Sequence, residues 1–228
     1  ELMGQESKFT QNLYDTARLS PKRVVFAEGT HPTMLEAAVR AKEEGICFPI
    51  LLGNDDHIRQ MAESMKLSLE GIEILNLRND AQNERRMHYA ERLARKMERK
   101  GYTLQEAIDK MYERNYFGMM MVETGDADAF ITGLYTKYSN TIKVANEVIG
   151  IRPGFSHFGT MHLVSSKKGM FFVADTLINR HPSADALFDI ARLSADTVRF
   201  FNRQPAIAMV SYSNFGTDTD GSAAKVQA

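Results

Sequence analysis

The sequence is poor in cysteine, proline and glycine, and its charges nearly cancel. Its 228 residues include one cysteine, six prolines and 15 glycines, with 28 basic and 29 acidic side chains. The low proline and glycine content excludes the collagen-like and disordered classes. A net charge of −1 gives no indication of a nucleic-acid or anionic-membrane partner. Cys47, being alone, permits neither an internal disulfide nor a cysteine-rich zinc cluster, which favours a reducing compartment.

Several sequence signals are also missing. No apolar run approaches the roughly 18 residues of a membrane-spanning helix, and the start of the chain lacks the basic and apolar parts of a secretory signal. We therefore expect a cytoplasmic protein. The six histidines show no i, i+4 pair, so no metal site is expected. No Walker A motif, no G-x-G-x-x-G after a strand and no G-x-S-x-G occurs, which leaves nucleotide triphosphatases, standard dinucleotide domains and α/β-hydrolases without support.

Apolar runs alternate with helical patterns along the first 150 residues. The continuous apolar runs that predict buried strands are 23–29, 47–53, 72–77 and 129–133. The segments that predict helices are 31–44, 55–65, 79–100, 104–116 and 139–148. A capping box of Thr103 and Glu106 opens the fourth helix, and Gly101 is the expected C-cap before it. Strand–helix units of these lengths favour a mostly parallel sheet with helices on both faces.

The pattern changes after residues 153–154. Two β-rich runs, 159–165 and 169–174, flank a polar turn and predict a hairpin. Residues 183–202 predict a long helix, and residues 205–213 predict a strand. We therefore divide the α/β fold into two domains: 1–150, and an incomplete second α/β domain, 151–228.

Three strand ends open into turns rich in glycine, serine and threonine, at residues 28–30, 132–139 and 211–217. In an open α/β sheet, ligands bind beyond the carboxyl ends of the strands, where backbone N–H groups favour anions. Each turn is also explained as an ordinary strand-to-helix connection. Together the three turns favour a cleft for a phosphate-bearing ligand, with Ser139 or Asn140 capping the helix that follows the second turn. The candidate ligand-binding residues are Thr132, Gly133, Thr136, Lys137, Ser139, Thr141, Lys143, Asp175, Ser211 and Ser213.

Other polar and sulfur-containing residues have a simpler interpretation. Met119, Met120 and Met121 are typical of core packing. The charges from Arg85 to Arg99 predict a solvated helix face. Asp126 and Asp128 precede a predicted strand, where they could cap or turn the chain as readily as take part in chemistry.

Five collinear segments carry a family resemblance. Residues 21–29 (PKRVVFAEG), 125–133 (GDADAFITG), 172–175 (FVAD) and 208–216 (AMVSYSNFG) together resemble the phosphate acetyltransferase (phosphotransacetylase) family. Residues 114–121 (RNYFGMMM), together with residues 213–216 (SNFG), are closer to the phosphotransacetylase-like C-terminal domain of bacterial NADP-dependent malic enzymes. The resemblance implies the phosphotransacetylase / isocitrate dehydrogenase-like fold, two α/β domains with a cleft for coenzyme A and acetyl phosphate. It also implies a homodimer or higher homo-oligomer and no metal for acetyl transfer.

The sequence differs from the family at positions where arginines would stabilise the negative charge of an acyl phosphate. Three arginines of active acetyltransferases correspond here to Thr33, Met97 and Lys143. Two cations are absent, and the third is a lysine without bidentate reach. The family's Ser-Arg-Gly stretch and its catalytic Asp lie beyond the last residue of this sequence, so the resemblance implies a fragment of a longer protein and leaves the catalytic residues unknown.

The leading hypothesis is an acetyl-CoA-binding effector domain of a decarboxylating malic enzyme, with acetyl transfer weak or lost. NADP and a divalent metal would then be bound only by an upstream domain absent from this sequence. One alternative is an active phosphate acetyltransferase with a diverged phosphate site. Another is a dimerisation domain that binds no acyl-CoA.

Overall fold

The apolar runs predicted as strands in the first 150 residues form one sheet in a computed structural model of the chain. The structure describes residues 2–166, 169–211, 217 and 221–227. The strands are β1 Lys22–Phe26, β2 Cys47–Leu52, β3 Glu73–Leu75, β4 Ala129–Ile131, β5 Met161–Ser166 and β6 Gly169–Ala174. The α-helices are α1 Leu2–Leu19, α2 Pro32–Glu43, α3 Asp55–Ser64, α4 Asn83–Met97, α5 Leu104–Lys110, α6 Arg114–Thr124, α7 Tyr138–Val148, α8 Ala184–Phe200 and α9 Gly221–Gln227.

The chain divides into two compact units. The large unit is Thr10–Gly150, and the small unit combines Glu1–Phe9 with Ile151–Ala228. The division falls after Gly150, and it groups the first nine residues with the C-terminal part of the chain.

The sheet of the large unit has the strand order β3-β2-β1-β4, and every neighbouring pair is parallel. Val25 of β1 pairs with Ile50 on one side and with Phe130 on the other. Parallel neighbours need crossover connections, which the helices supply. The predicted α/β fold with a parallel sheet flanked by helices is confirmed.

Helices cover both faces of this sheet. Successive residues of a strand point to opposite faces, so Val25 packs with residues of α4, α6 and α7, whereas Phe26 packs with residues of α2 and α3. Met119, Met120 and Met121 are buried on the first of these faces. Their interpretation as core residues is confirmed.

The helix ends follow local capping chemistry. Gly101 has a φ of +79°, the left-handed conformation expected of a C-cap glycine. The capping box of Thr103 and Glu106 is formed at the start of α5. The single helix predicted over 104–116 is wrong, because the chain turns after Lys110 and begins α6 at Arg114.

The small unit contains the predicted hairpin and the predicted long helix. Strands β5 and β6 are antiparallel, with Met161 opposite Ala174. Ser183 caps α8 by accepting a hydrogen bond from the N–H of Ala186 at 3.1 Å. Phe172 of β6 lies 5.6 Å from Phe201 just after α8, measured between ring centroids, so the helix packs on the hairpin.

The strand predicted over 205–213 is wrong over 205–211, and residues 212 and 213 lie outside the described residues. Ile207, Met209 and Val210 are 51%, 44% and 84% exposed. An apolar run becomes a strand only where a neighbour satisfies its backbone N–H and C=O groups, and β5 and β6 pair only with each other in the described part of this unit.

Helix α1 was not predicted, because its sequence is mostly polar. Over the described residues, the structure contains no helix with both the length and the apolar character needed to cross a membrane.

Candidate ligand site at the carboxyl edge of the sheet

Two of the three predicted turns begin side by side in the large unit. Phe26, the last residue of β1, pairs with Ile131, the last residue of β4. The turn at residues 28–30 and the turn that starts at Thr132 therefore leave the same edge of the sheet. The third turn belongs to the small unit, and most of it, including Ser213, lies outside the described residues.

A buried carboxylate joins these two turns. Glu28 has no exposed surface, and its Oε1 accepts hydrogen bonds from Thr132 Oγ1 at 2.8 Å and from the Gly133 N–H at 3.1 Å. Thr132 Oγ1 also lies 3.2 Å from Oδ1 of Asn115, in the first turn of α6. Glu28 Oε2 is buried and has no hydrogen-bond partner among the described residues. The carboxylate therefore fixes the start of the second turn.

Sequence reasoning missed this role of Glu28. The residue precedes a glycine at a strand end, a position that gives no indication of burial. Burial of a carboxylate is costly unless hydrogen bonds compensate. The compensating donors, Thr132 and Gly133, lie more than 100 residues further along the chain, so no local signal could have shown the burial of Glu28.

The second turn continues into α7. This helix begins at Tyr138 with Lys137 as its N-cap, and no side chain caps it. The prediction that Ser139 or Asn140 caps the helix is wrong, because Lys137 already has an extended backbone and its carbonyl oxygen accepts the Asn140 N–H at 2.9 Å. Lys137 and Ser139 are exposed, while Thr136 and Thr141 are partly buried.

Lys143 is directed along its own helix. Its Nζ lies 3.9 Å from Oε1 of Glu147, one turn later in α7. Glu147 is buried and accepts hydrogen bonds from the hydroxyl groups of Tyr116 and Tyr102. Burial acts to raise the pKa of Glu147, but these two hydrogen bonds and the nearby lysines outweigh it and lower the pKa below its ordinary value. The charge of Lys143 is thus partly neutralised by Glu147 within the large unit.

Aromatic and cationic side chains lie around the turn itself. His31 caps α2 by accepting the Thr33 N–H at 3.2 Å, and its ring centroid lies 5.2 Å from that of Tyr135 in the turn. The guanidinium carbon of Arg114, at the start of α6, lies 5.2 Å from the same Tyr135 ring. The turn is therefore held between the first turns of α2 and α6.

The candidate residues of the small unit are arranged differently. Asp175 follows β6, and its carboxylate accepts hydrogen bonds from the Thr160 hydroxyl group and from the backbone and side-chain nitrogens of Asn179, at 2.6 and 2.7 Å. Burial acts to raise the pKa of Asp175, but these hydrogen bonds outweigh it and lower the pKa to about 2. Asp175 thus holds its own loop together. Ser211 is exposed in an irregular segment.

Comparison with known proteins identifies the family. A family model described as phosphate acetyl/butaryl transferase matches residues 8–228. This chain belongs to the phosphate acetyl/butaryl transferase family. The match covers nearly the whole sequence, so both units are part of the family domain.

Individual relatives of this family member fall into two groups. The NADP-dependent malic enzyme of Salmonella typhimurium is 31% identical over all 228 residues, which span 30% of that enzyme. The phosphate acetyltransferase of Haemophilus influenzae is 31% identical over 220 residues, 96% of this chain and 30% of that enzyme. The chain thus spans less than a third of the length of either curated relative.

Solved structures agree with the family assignment. The EutD phosphotransacetylase of Staphylococcus aureus aligns with a TM-score of 0.83 and 25% identity, over 97% of this chain and 66% of that protein. A phosphotransacetylase of Streptococcus pyogenes aligns with a TM-score of 0.84 and 26% identity, over 96% of this chain and 66% of that protein. The phosphotransacetylase-type fold expected from the resemblance is confirmed.

The three positions where the resemblance expects arginine can now be located in this family member. Thr33 is exposed in the first turn of α2. Met97, the last residue of α4, is only 3% exposed and belongs to the core of the large unit. Lys143 is exposed on α7 beside Glu147. One of the three positions is therefore part of the apolar core and presents nothing to a ligand.

Two charged residues considered in the sequence, Arg86 and Asp128, contact other segments of the large unit. The solvated face predicted from Arg85 to Arg99 is wrong at Arg86, which is buried and donates hydrogen bonds to the backbone carbonyl groups of Leu77 and Asn79 after β3. A regular run of charges does not reveal which one reaches a buried carbonyl group. Asp128 pairs with Arg23 at 3.0 Å and so ties β4 to β1.

Metal ligands do not come together in the described part of the chain. No group of three or more His, Cys, Asp or Glu side chains within those residues could hold a metal ion.

Proposed function

We propose that this chain is the phosphotransacetylase-type domain of an NADP-dependent malic enzyme, that it binds acetyl-CoA as an allosteric effector, and that its own acetyl transfer to phosphate is weak or lost. The observation that carries the proposal is the buried position of Met97, where the resemblance expects a phosphate-binding arginine. An acyl phosphate bears concentrated negative charge, and its transfer depends on cations placed around it. The exposed Thr33 supplies no cation either.

The ligand-binding elements themselves support retained binding. Glu28 still anchors the Thr132–Gly133 turn through two hydrogen bonds, and the backbone N–H groups at the start of α7, a helix with no side-chain cap, follow directly after it. Backbone donors of this kind bind anions without a catalytic arginine. In this proposal acetyl-CoA contacts the turn through Thr132 to Thr141, with Lys143 of the same unit as a further candidate.

An effector acts only if it binds two states of the enzyme with different affinity. The proposal therefore includes a homodimer or higher homo-oligomer and a separate malic enzyme domain that responds to the bound acetyl-CoA. NADP and the divalent metal belong to that separate domain. Decarboxylation of malate to pyruvate would take place there.

An active phosphate acetyltransferase is the second candidate, because the Haemophilus influenzae phosphate acetyltransferase is as similar to this chain as the malic enzyme is. A coenzyme A release assay separates the two candidates. The full-length protein is mixed with acetyl-CoA and phosphate, and the free thiol is followed over time. We expect no release above the rate without protein, whereas multiple turnovers would contradict the effector assignment.

Calorimetry with acetyl-CoA on the same sample provides the matching binding test. We expect saturable binding. A protein that neither releases coenzyme A nor binds acetyl-CoA would support the dimerisation domain and would contradict both other candidates.

A further inference from the structure

Arg114 supplies a cation at the edge of the sheet where the family arginine at position 33 is missing. Its guanidinium carbon lies 5.2 Å from the Tyr135 ring, and the Tyr135 ring lies 5.2 Å from His31. His31 in turn accepts the N–H of Thr33. These contacts place Arg114, although it comes from α6, beside the first turn of α2. We call Arg114, His31 and Tyr135 the Arg114 cluster.

The charge of Arg114 is not neutralised by the described residues. The adjacent carboxylate, Glu113, lies 3.8 Å from Lys110, and no carboxylate within the described ranges forms an ion pair with Arg114. Its side chain is only partly exposed. A partly desolvated guanidinium with five donors favours an oxyanion partner, and its planar fork can bind two oxygens of a phosphate or carboxylate at once.

Backbone groups around the Arg114 cluster favour an anion as well. Helix α6 begins without a side-chain cap, and Arg114 is its first residue. The side chain of Asn115 meets Thr132 at the start of the turn, which places the first turn of α6 beside it. The positive end of the α6 dipole thus adds to the charge of Arg114.

A buried acidic group, Glu28, lies at the base of the same turn. Glu28 is fully buried, and its Oε1 accepts hydrogen bonds from Thr132 and Gly133. Both donors bind Oε1, whereas Oε2 has no partner among the described residues. Tyr135, which is 55% exposed, lies beside the Arg114 guanidinium at cation–π distance.

We propose that the Arg114 cluster binds a phosphate group, and that Arg114 is its principal ligand-binding residue, with the phosphate supplied by coenzyme A. This assignment rests on the proposed binding of acetyl-CoA. A free phosphate ion has the same chemistry, so the two sources must be told apart by experiment. In either case the guanidinium forms charge-assisted hydrogen bonds with phosphate oxygens, and no covalent bond changes.

The test compares Arg114→Met with Arg59→Met in the full-length protein. Arg59 is exposed on α3 and serves as the matched control. Affinities are measured for acetyl-CoA, for acetyl-pantetheine, which has no phosphate, and for inorganic phosphate. We expect Arg114→Met to weaken acetyl-CoA binding about ten- to a hundredfold, the effect of losing charge-assisted hydrogen bonds. Arg59→Met and the acetyl-pantetheine affinities should not change.

Each other outcome contradicts the assignment in its own way. Equal losses of affinity for acetyl-CoA and acetyl-pantetheine would show that Arg114 has a structural role. In that case Arg114→Lys, which preserves the charge but not the planar fork, would bind acetyl-CoA no more tightly than Arg114→Met. A loss confined to inorganic phosphate would assign the cluster to the free ion. If the wild-type protein does not bind acetyl-CoA at all, the proposed function fails. If wild type and Arg114→Met bind it equally, only this inference fails.

Discussion

Asp175 illustrates how a candidate ligand residue can be committed to its own loop. Its carboxylate accepts hydrogen bonds from Thr160 and Asn179, and these lower its pKa to about 2 although burial acts in the opposite direction. The ordinary pKa of aspartate is about 3.9. The charged form therefore stabilises the folded state fully above about pH 4, and this contribution is lost as the pH falls toward 2.

Asp175→Asn should show this dependence directly. We expect the variant to be less stable than the wild type by about 2 kcal/mol at pH 6, because charge-assisted hydrogen bonds are lost. The difference should shrink as the pH is lowered from 4 toward 2. Urea unfolding at several pH values measures it. A difference that stays constant from pH 6 to pH 3 would show that the carboxylate charge contributes nothing.

Thr160→Val is the partner variant for this measurement. It removes a hydroxyl donor to Asp175 and should raise the pKa of that carboxyl group. Its own loss of stability should therefore also be larger at pH 6 than at pH 3.

Single residues were the hardest features to predict from the sequence. Glu28 and Arg86 are both buried, but one was treated as part of a turn and the other as part of a solvated face. Their burial depends on which loop folds over them, and sequence spacing does not contain that information. Hydrophobic residues such as Met120 were predicted correctly, because burial of an apolar side chain needs no specific partner.

Helix α6 passes close to β4 because residue 118 is glycine. A Cβ atom at Gly118 would lie 2.6 Å from Cδ2 of Phe130 and 3.2 Å from Cδ1 of Leu52. Alanine in place of a helical glycine normally gains about 1 kcal/mol. At Gly118 the steric cost should exceed that gain, so the close contact between α6 and β4 depends on the absence of a side chain at this position.

Gly118→Ala should therefore destabilise the protein by about 1–3 kcal/mol, the usual cost of overpacking a core. Thermal or urea unfolding provides the measurement. Gly118→Ala combined with Phe130→Leu should be less destabilised than the sum of the two single variants, because the smaller side chain relieves the clash. Strict additivity, or a more stable Gly118→Ala variant, would show that α6 and β4 are not closely packed.

The elements that could be predicted are those with a continuous apolar pattern. β1, β2 and β4 were predicted because strands covered on both faces need apolar residues at consecutive positions. The run at 205–211 has the same composition but no strand. Composition indicates a tendency to form a strand, whereas pairing depends on a neighbour elsewhere in the chain. The mostly polar α1 was missed because it has no continuous apolar pattern, although it forms a helix.

At the scale of the molecule, five short motifs in order were enough to predict the family that the comparison then identified. The candidate site was predicted in part, because adjacent parallel strands bring residues 28–30 and 132–133 together. The Arg114 cluster was not predicted. Arg114 and Tyr135 are 21 positions apart and lie on different elements, so their contact depends on the packing of α6 beside the β4 turn.

The central claim is that acetyl-CoA bound to this domain regulates a separate malic enzyme domain. The most direct measurement is malate-dependent NADP reduction by the full-length protein, with and without saturating acetyl-CoA. We predict that acetyl-CoA changes the malate concentration for half-maximal rate about fivefold or more, the scale of typical allosteric coupling. Superimposable curves from a protein that demonstrably binds acetyl-CoA would contradict the claim.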